Sequence, residues 1–309
     1  MEPRRHFLTR RKAILSASMT AIAALASAWP LASEQHEQWK PLFAKLGALE
    51  KRSGGRLGWA LLDTASDRRF GHRSTERFPM CSTFKLLAVA DALRRVDAGT
   101  LSLEQRIHYS QADLLEYAPV ARVHVARGWM TIRELCAAAM SRSDNTTANL
   151  LLKQIGGPAG VTRYVRSIGD RFTRLDRVEP FLNSGIPGDP RDTTTPESMG
   201  FDANRLLVRD LLSASSRALL IDWMRRSTTG LDLLRAGFPN SWKCGDKTGL
   251  GGRHTATGDS DTRNDVAVVL PPGHSPFIVA AYLTGVKVAA AQRDATLADV
   301  ARAITPAFS

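Results

Sequence analysis

Ser82 and Lys85 stand three residues apart in the stretch CSTFK (81–85), with no histidine close by. A serine hydroxyl is a poor nucleophile until a base takes its proton. On a helix the two side chains would share one face, a turn apart. A serine at a helix start also meets the positive end of the helix dipole, which favours negative charge on its oxygen. Lysine acts as the base only where burial or a neighbouring cation lowers its pKa. Taken alone, the same string reads more readily as a helix cap followed by a surface lysine.

Two features favour chemistry. The residues around Lys85 are apolar: Phe84, Leu86, Leu87 and Val89. The chain also avoids lysine, which supplies nine of its 42 Lys and Arg residues. Where any cation suffices this sequence uses arginine, so a lysine among core residues reads as chosen for a proton it can lose. Further along, Ser143-Asp144-Asn145 follows a helical stretch and Lys247-Thr248-Gly249 lies in a strand-like one. S-x-x-K, S-D-N and K-T-G, in that order, are the signature of class A β-lactamases and penicillin-binding proteins.

On these motifs the chain resembles a class A serine β-lactamase along essentially its whole length after the N-terminal segment. The match extends to Glu179-Pro180-Phe181-Leu182-Asn183, which fits that family's ExxLN, to Gly156-Gly157-Pro158, and to the run RDTTTP at 191–196. The resemblance implies that Ser82 attacks a lactam carbonyl, with Lys85 and Glu179 handling the proton, and that Ser143 passes a proton to the departing nitrogen. Glu179 would then activate the deacylating water, with Asn183 helping to hold it. Backbone N–H groups of Ser82 and Leu250 would form the oxyanion hole. Asn145 would hold the substrate's side-chain amide. Lys247, Thr248 and Gly249 would line the substrate carboxylate site. Tyr117 takes the family's aromatic wall position, although it reads equally as a surface tyrosine. Asp144 is expected to be structural, Glu179–Pro180 to be cis, and Arg177 to pair with Asp192. The other members of the superfamily, D-Ala-D-Ala carboxypeptidases and β-lactam sensors, share the three motifs; Glu179 with Asn183 argues for the hydrolase.

Departures from the family pattern bear on substrate range. The two positions where relatives carry a carboxylate-holding arginine are Leu233 and Asp294 here, which leaves Arg253 or Arg263 as substitutes. Leu250 is bulky where relatives often have a small residue. Each of two disulfides that the resemblance implies is half present: the position that would pair with Cys136 holds Val89, and the one that would pair with Cys81 holds Gly251. Cys81 and Cys136 are therefore expected to be unbridged within the chain.

The elements that must position these residues follow from periodicity. Apolar spacing gives a helix over 37–52, stopped by Ser53-Gly54-Gly55. Residues 56–64 and 68–73 read as two strands joined by a turn. A helix follows from Phe78 to Gly99, and the chain stays mostly helical to about Arg226, including 131–140, 145–155, 159–168 and 198–212. Strands return at 241–249, 265–270 and 277–285, and 286–304 is a final helix. Strands at both chain ends with helices between predict an α+β fold: an antiparallel sheet flanked by helices, with an all-α domain inserted. The expected parts are 29–75 with 227–309 for the sheet domain, and 76–226 for the helical domain with an Ω loop at 174–192. A second loop, 249–264, is polar, Gly-rich and expected to be mobile.

The remaining composition excludes more than it assigns. The first residues read as an export signal with cleavage after Ala28, and Arg4-Arg5-His6-Phe7-Leu8 resembles a twin-arginine motif. The apolar run from Ala13 to Trp29 is short for a membrane span. Periplasmic location in a Gram-negative-type cell is expected, as a monomer without stable membrane association once the signal is removed. The signal carries a net +4 of the chain's formal +12. The remaining arginines are scattered without basic runs or interleaved aromatics, so no nucleic-acid partner is expected. No metal motif, P-loop or GxGxxG occurs, and no cofactor is expected.

Overall fold

The structure, a computed structural model, describes residues 30–254 and 260–308, with side chains from Trp39 onward. The export-signal reading at 1–28 lies outside the described residues. The chain groups into two units, 1–41 and 42–309, and apart from the first residues of helix Pro30–Ser53 the description below concerns the second. The core is one antiparallel sheet of five strands, in the order Arg69–His72, Arg56–Asp63, Phe277–Thr284, Ser260–Leu270, Lys243–His254. Strands β1 (Arg56–Asp63) and β2 (Arg69–His72) come from the N-terminal part. A pair β3 (Phe78–Pro79) with β6 (Thr193–Thr194), and a pair β4 (Arg106–His108) with β5 (Trp129–Thr131), form two small ribbons. Strands β7 (Lys243–His254), β8 (Ser260–Leu270) and β9 (Phe277–Thr284) complete the main sheet from the C-terminal part. The long hydrophobic run of β9 is buried along nearly its whole length, and it pairs with β1 on one side and β8 on the other.

Helix α1 (Pro30–Ser53) begins earlier than the apolar spacing indicated, because the residues before Glu37 lack an amphipathic pattern yet continue the same turn. The centre of the helical layer is α2 (Phe84–Asp97), in which Phe84 to Leu93 are all buried. A helix apolar on every side belongs inside a core. Around it lie α3 (Ala121–His124), α4 (Ile132–Ser141), α5 (Asn145–Ile155), α6 (Gly157–Ser167), α7 (Pro196–Leu207) and α8 (Ala214–Arg225). α9 (Leu234–Gly237) and α10 (Ala290–Ile304) pack together, and α10 lies on β8 and β9. Capping explains several starts. Thr131 and Glu134 form a capping box on α4, and Thr195 caps α7 just before Pro196.

One expectation fails. Residues 249–264 are not a free loop: β7 runs on to His254 and β8 starts at Ser260, paired through Gly251↔Thr262 and irregular beyond it. Glycine and polar content hid the strand, whose hydrogen bonds come from the neighbouring backbone and need no apolar side chains. Residues 255–259 lie outside the described residues.

Candidate active site

Ser82 does not sit within α2. It lies in a single 3₁₀ turn, Cys81–Thr83, that leads into the helix. Cys81 adopts φ +46°, a left-handed conformation that costs an L-residue on the order of 1 kcal/mol. The turn is braced from two sides. Asn264 on β8 donates through Nδ2 to Pro79 O at 2.8 Å and Met80 O at 3.1 Å. Met80 N donates to Asp192 O at 2.9 Å. Strand β7 passes so close that a Cβ on Gly249 would fall 2.7 Å from Met80 O, so only glycine fits there.

From this turn the predicted residues converge. Lys85 Nζ is 3.0 Å from Ser82 Oγ, 2.7 Å from Asn145 Oδ1, 2.8 Å from Ser143 O and 2.9 Å from Glu179 Oε1. Ser143 Oγ lies 3.4 Å away. An ammonium has three protons to give, so five oxygens compete for them and at least two go unserved at any moment. Lys85 and Glu179 are both fully buried. Burial pushes the Lys85 pKa below the lysine range, while the Glu179 charge beside it works in the opposite direction.

Ser143 occupies the turn between α4 and α5 at φ +54°. Asp144 behind it is structural, as expected. Its carboxylate accepts from Thr147 N at 2.9 Å as the cap of α5, and from Val120 N and Ala121 N at 2.8 and 2.9 Å. Asn145 N in turn donates to Tyr117 O at 3.0 Å, which anchors the loop that carries the half-exposed Tyr117 ring.

Glu179 reaches the site on the Ω loop. Its Oε1 accepts from Ser82 Oγ at 3.3 Å and its Oε2 from Asn183 Nδ2 at 2.5 Å. The Glu179–Pro180 peptide is cis and Arg177 pairs with Asp192, as the resemblance implied. Asp192 also accepts from Asp176 N and Arg177 N at 2.8 and 2.9 Å, which closes the loop neck. Sequence reading missed Asn149 on α5. It grips Glu179 by both backbone groups, donating to its O at 2.9 Å and accepting from its N at 3.0 Å. An asparagine in a helix interior is the one signal that could have flagged it.

Lys247 on β7 donates to Ser143 Oγ at 3.0 Å and to Thr248 O at 2.9 Å. It is fully buried, and burial together with the Lys85 charge lowers its pKa to about 7. Thr248 shares a hydroxyl hydrogen bond of 2.7 Å with Thr229. Of the two substitute arginines, Arg253 is exposed and turned to Asp261. Arg263 lies mostly buried opposite Leu250, donates to Thr229 O at 3.0 Å, and pairs with Asp294 at 3.3 Å. The aspartate that replaces one family arginine thus holds another. Leu250 stands at the rim, about half exposed. Cys81, Cys136 and Cys244 are all buried and unbridged. Cys81 Sγ lies 2.8 Å from where a Cβ on Gly251 would stand.

A cavity of about 630 Å³ lies behind the Ω loop, but none of the reactive residues lines it. Chemistry rather than volume picks out the site. Comparison agrees with the geometry. A model of the Beta-lactamase enzyme family matches residues 41–308. Beta-lactamase Toho-1 of Escherichia coli is 44% identical over 273 residues, which cover 88% of this chain and 91% of that protein. The chain belongs to the class A β-lactamases. Beta-lactamase L2 of Stenotrophomonas maltophilia matches this lactamase at 43% identity over 98% of both chains. The solved structure of the last common ancestor of Gram-negative bacteria class A β-lactamase superposes with a TM-score of 0.82 at 54% identity, covering 87% of the lactamase and 99% of that chain. The α+β fold of the lactamase is that of the family. Among its described residues no helix is long and apolar enough to cross a membrane.

Proposed function

We propose that this β-lactamase opens β-lactams through an acyl-enzyme on Ser82. The observation that carries the reading is one carboxylate oxygen, Glu179 Oε1, within reach of both Ser82 Oγ and Lys85 Nζ, while Asn183 holds the other. Ser82 Oγ attacks the carbonyl as its proton passes to Lys85 or Glu179. The backbone N–H groups of Ser82 and Leu250 take the developing oxyanion. The C–N bond breaks and the nitrogen receives a proton from Ser143, which draws on Lys85 and Lys247. Glu179 then takes a proton from a water held with Asn183. The resulting hydroxide attacks the ester, releasing Ser82 and the ring-opened acid.

Lys247, Thr248 and Arg263 hold the substrate carboxylate beside Gly249. Arg263 takes that part because it reaches Thr229, the partner of the Thr248 hydroxyl. Asn145 and Tyr117 line the side-chain end. The sheet parts 29–75 and 227–309 and the helical part 76–226 are the two halves between which the site lies. The N-terminal arginine pair, apolar run and small-residue end support export to the periplasm by the twin-arginine route.

Chromogenic lactam turnover by wild type and by Glu179→Ala tests the reading. Steady turnover by wild type and a stalled acyl-enzyme in the variant are expected. Stoichiometric acylation of wild type without turnover would instead mark a penicillin-binding protein or a sensor.

A further inference from the structure

Asp202, on α7, is wholly buried, and no donor among the described residues gives a hydrogen bond to either of its carboxyl oxygens. Its neighbour is a second buried carboxyl, Asp170, in the turn after α6. Asp170 is committed as an acceptor. It takes Phe172 N at 2.7 Å and Thr173 N at 3.1 Å, the first backbone groups of the segment that becomes the Ω loop.

The cations nearby are engaged elsewhere. Arg166 donates to Asp170 O and Thr173 O, both at 2.7 Å, and Arg205 donates to Ile168 O at 2.8 Å. The other polar groups near Asp202 are Tyr164 on α6, whose hydroxyl has no hydrogen-bond partner among the described residues, and Tyr282 on β9, bonded to Thr83. Asp91 on α2 also acts on Tyr164 and is itself paired with Arg94 and Arg95. Two carboxylates cannot bond each other, and an unpaired buried charge is costly. One proton between them resolves both problems, as in other carboxyl pairs.

We propose that Asp202 is a positioning residue for deacylation: its carboxylic acid donates a hydrogen bond to Asp170 and so sets the root of the loop that carries Glu179. Burial and the Asp170 charge hold the Asp202 carboxyl well above the usual carboxylate range, with Arg205 and Arg166 opposing. The path onward is short. Thr173 Oγ1 bonds Thr194 Oγ1 at 2.6 Å, Arg174 N bonds Thr193 O at 3.0 Å, and Asp192 clamps Asp176 and Arg177 next to Glu179. The kinetic part of the inference rests on the role proposed for Glu179.

The test compares wild type, Asp202→Asn and Asp202→Ala. Asparagine keeps an N–H donor toward Asp170 and does not titrate; alanine offers no donor. The infrared difference spectrum of wild type against Asp202→Asn at neutral pH should lose one carboxylic-acid C=O band. Amide exchange at Phe172 and Thr173 should quicken in the alanine variant and not in the asparagine one. With a chromogenic cephalosporin, asparagine should hold kcat within about threefold, while alanine lowers kcat about tenfold with KM falling alongside. Absence of the acid band, or identical behaviour of the two variants, overturns the proposal. Should alanine fail to fold, the band and the exchange rates of the asparagine variant still decide. If the band is lost but kcat is unmoved in Asp202→Ala, positioning is rejected while the role of Glu179 stands. If Glu179→Ala still deacylates, the role of Glu179 falls while the band keeps its meaning.

Discussion

Lys85 Nζ and Glu179 Oε1 meet at 2.9 Å with neither side chain exposed to solvent. A buried ion pair gains little net stability unless further hydrogen bonds offset the desolvation of both charges. Here Asn145, Ser143 and Ser82 supply the acceptors around the ammonium. If Lys85 and Glu179 act as proposed, the pair stores a proton rather than bracing the fold. Lys85→Arg keeps the charge but cannot release a proton. It should lower kcat/KM by about 10²–10⁴, read by stopped-flow acylation. Near-wild-type acylation in that variant would assign the first proton to Glu179 alone.

Lys247 has a folded-state pKa of about 7, below the roughly 10.4 of a free lysine. Between those values the folded chain binds fewer protons than the unfolded one, so this group's contribution to stability grows as pH rises. Carboxylate binding needs the cation and moves the opposite way. For an anionic β-lactam, kcat/KM should fall about tenfold per pH unit above the Lys247 pKa, because that ratio follows the free enzyme. The uncharged ester of the same lactam should lack that limb. An identical decline for acid and ester would remove Lys247 from the carboxylate site.

Arg263 is held by Asp294 on one side and Thr229 on the other. Hydrogen bonds to a charged group contribute about 1.5–3 kcal/mol. Arg263→Ala should accordingly raise KM for anionic lactams by about 10–100-fold, and Asp294→Ala by less, since the guanidinium keeps its bond to Thr229. The check is a KM comparison across both variants. An unchanged KM in Arg263→Ala would return the search to Arg253.

Asp144 satisfies three backbone N–H groups from two segments. Asp144→Ala leaves them without an acceptor and should cost about 3 kcal/mol, equivalent to a fall in Tm of about 5 °C. Asp144→Asn should lose less, because its amide oxygen still accepts. Calorimetry of both variants measures it, and equal Tm losses would contradict the cap assignment.

That Ser82, Lys85, Lys247 and Glu179 converge was legible because they fall in short strings whose order along the chain carries information. Their supports were not. Asn149, Asn264 and Thr229 act through pairs of hydrogen bonds to residues distant in the chain, and such contacts leave no period to detect. The hairpin of β7 and β8 escaped for a related reason: Gly249, Gly251 and Gly252 look like loop residues, yet at Gly249 and Gly251 what they provide is clearance beside the turn that carries Ser82 and beside Asn183. Arg263 could be narrowed only to a pair of candidates, since the choice depends on strand register.

Asp192 holds the Ω-loop neck with its side chain and receives Met80 N, two residues from the nucleophile, on its carbonyl. The turn that carries Ser82 and the loop that carries Glu179 are therefore both tied to Asp192. A substitution that lets the Ω loop swing also pulls on the turn of Ser82. In this lactamase, room for a bulkier antibiotic and the aim of Ser82 are not independently adjustable.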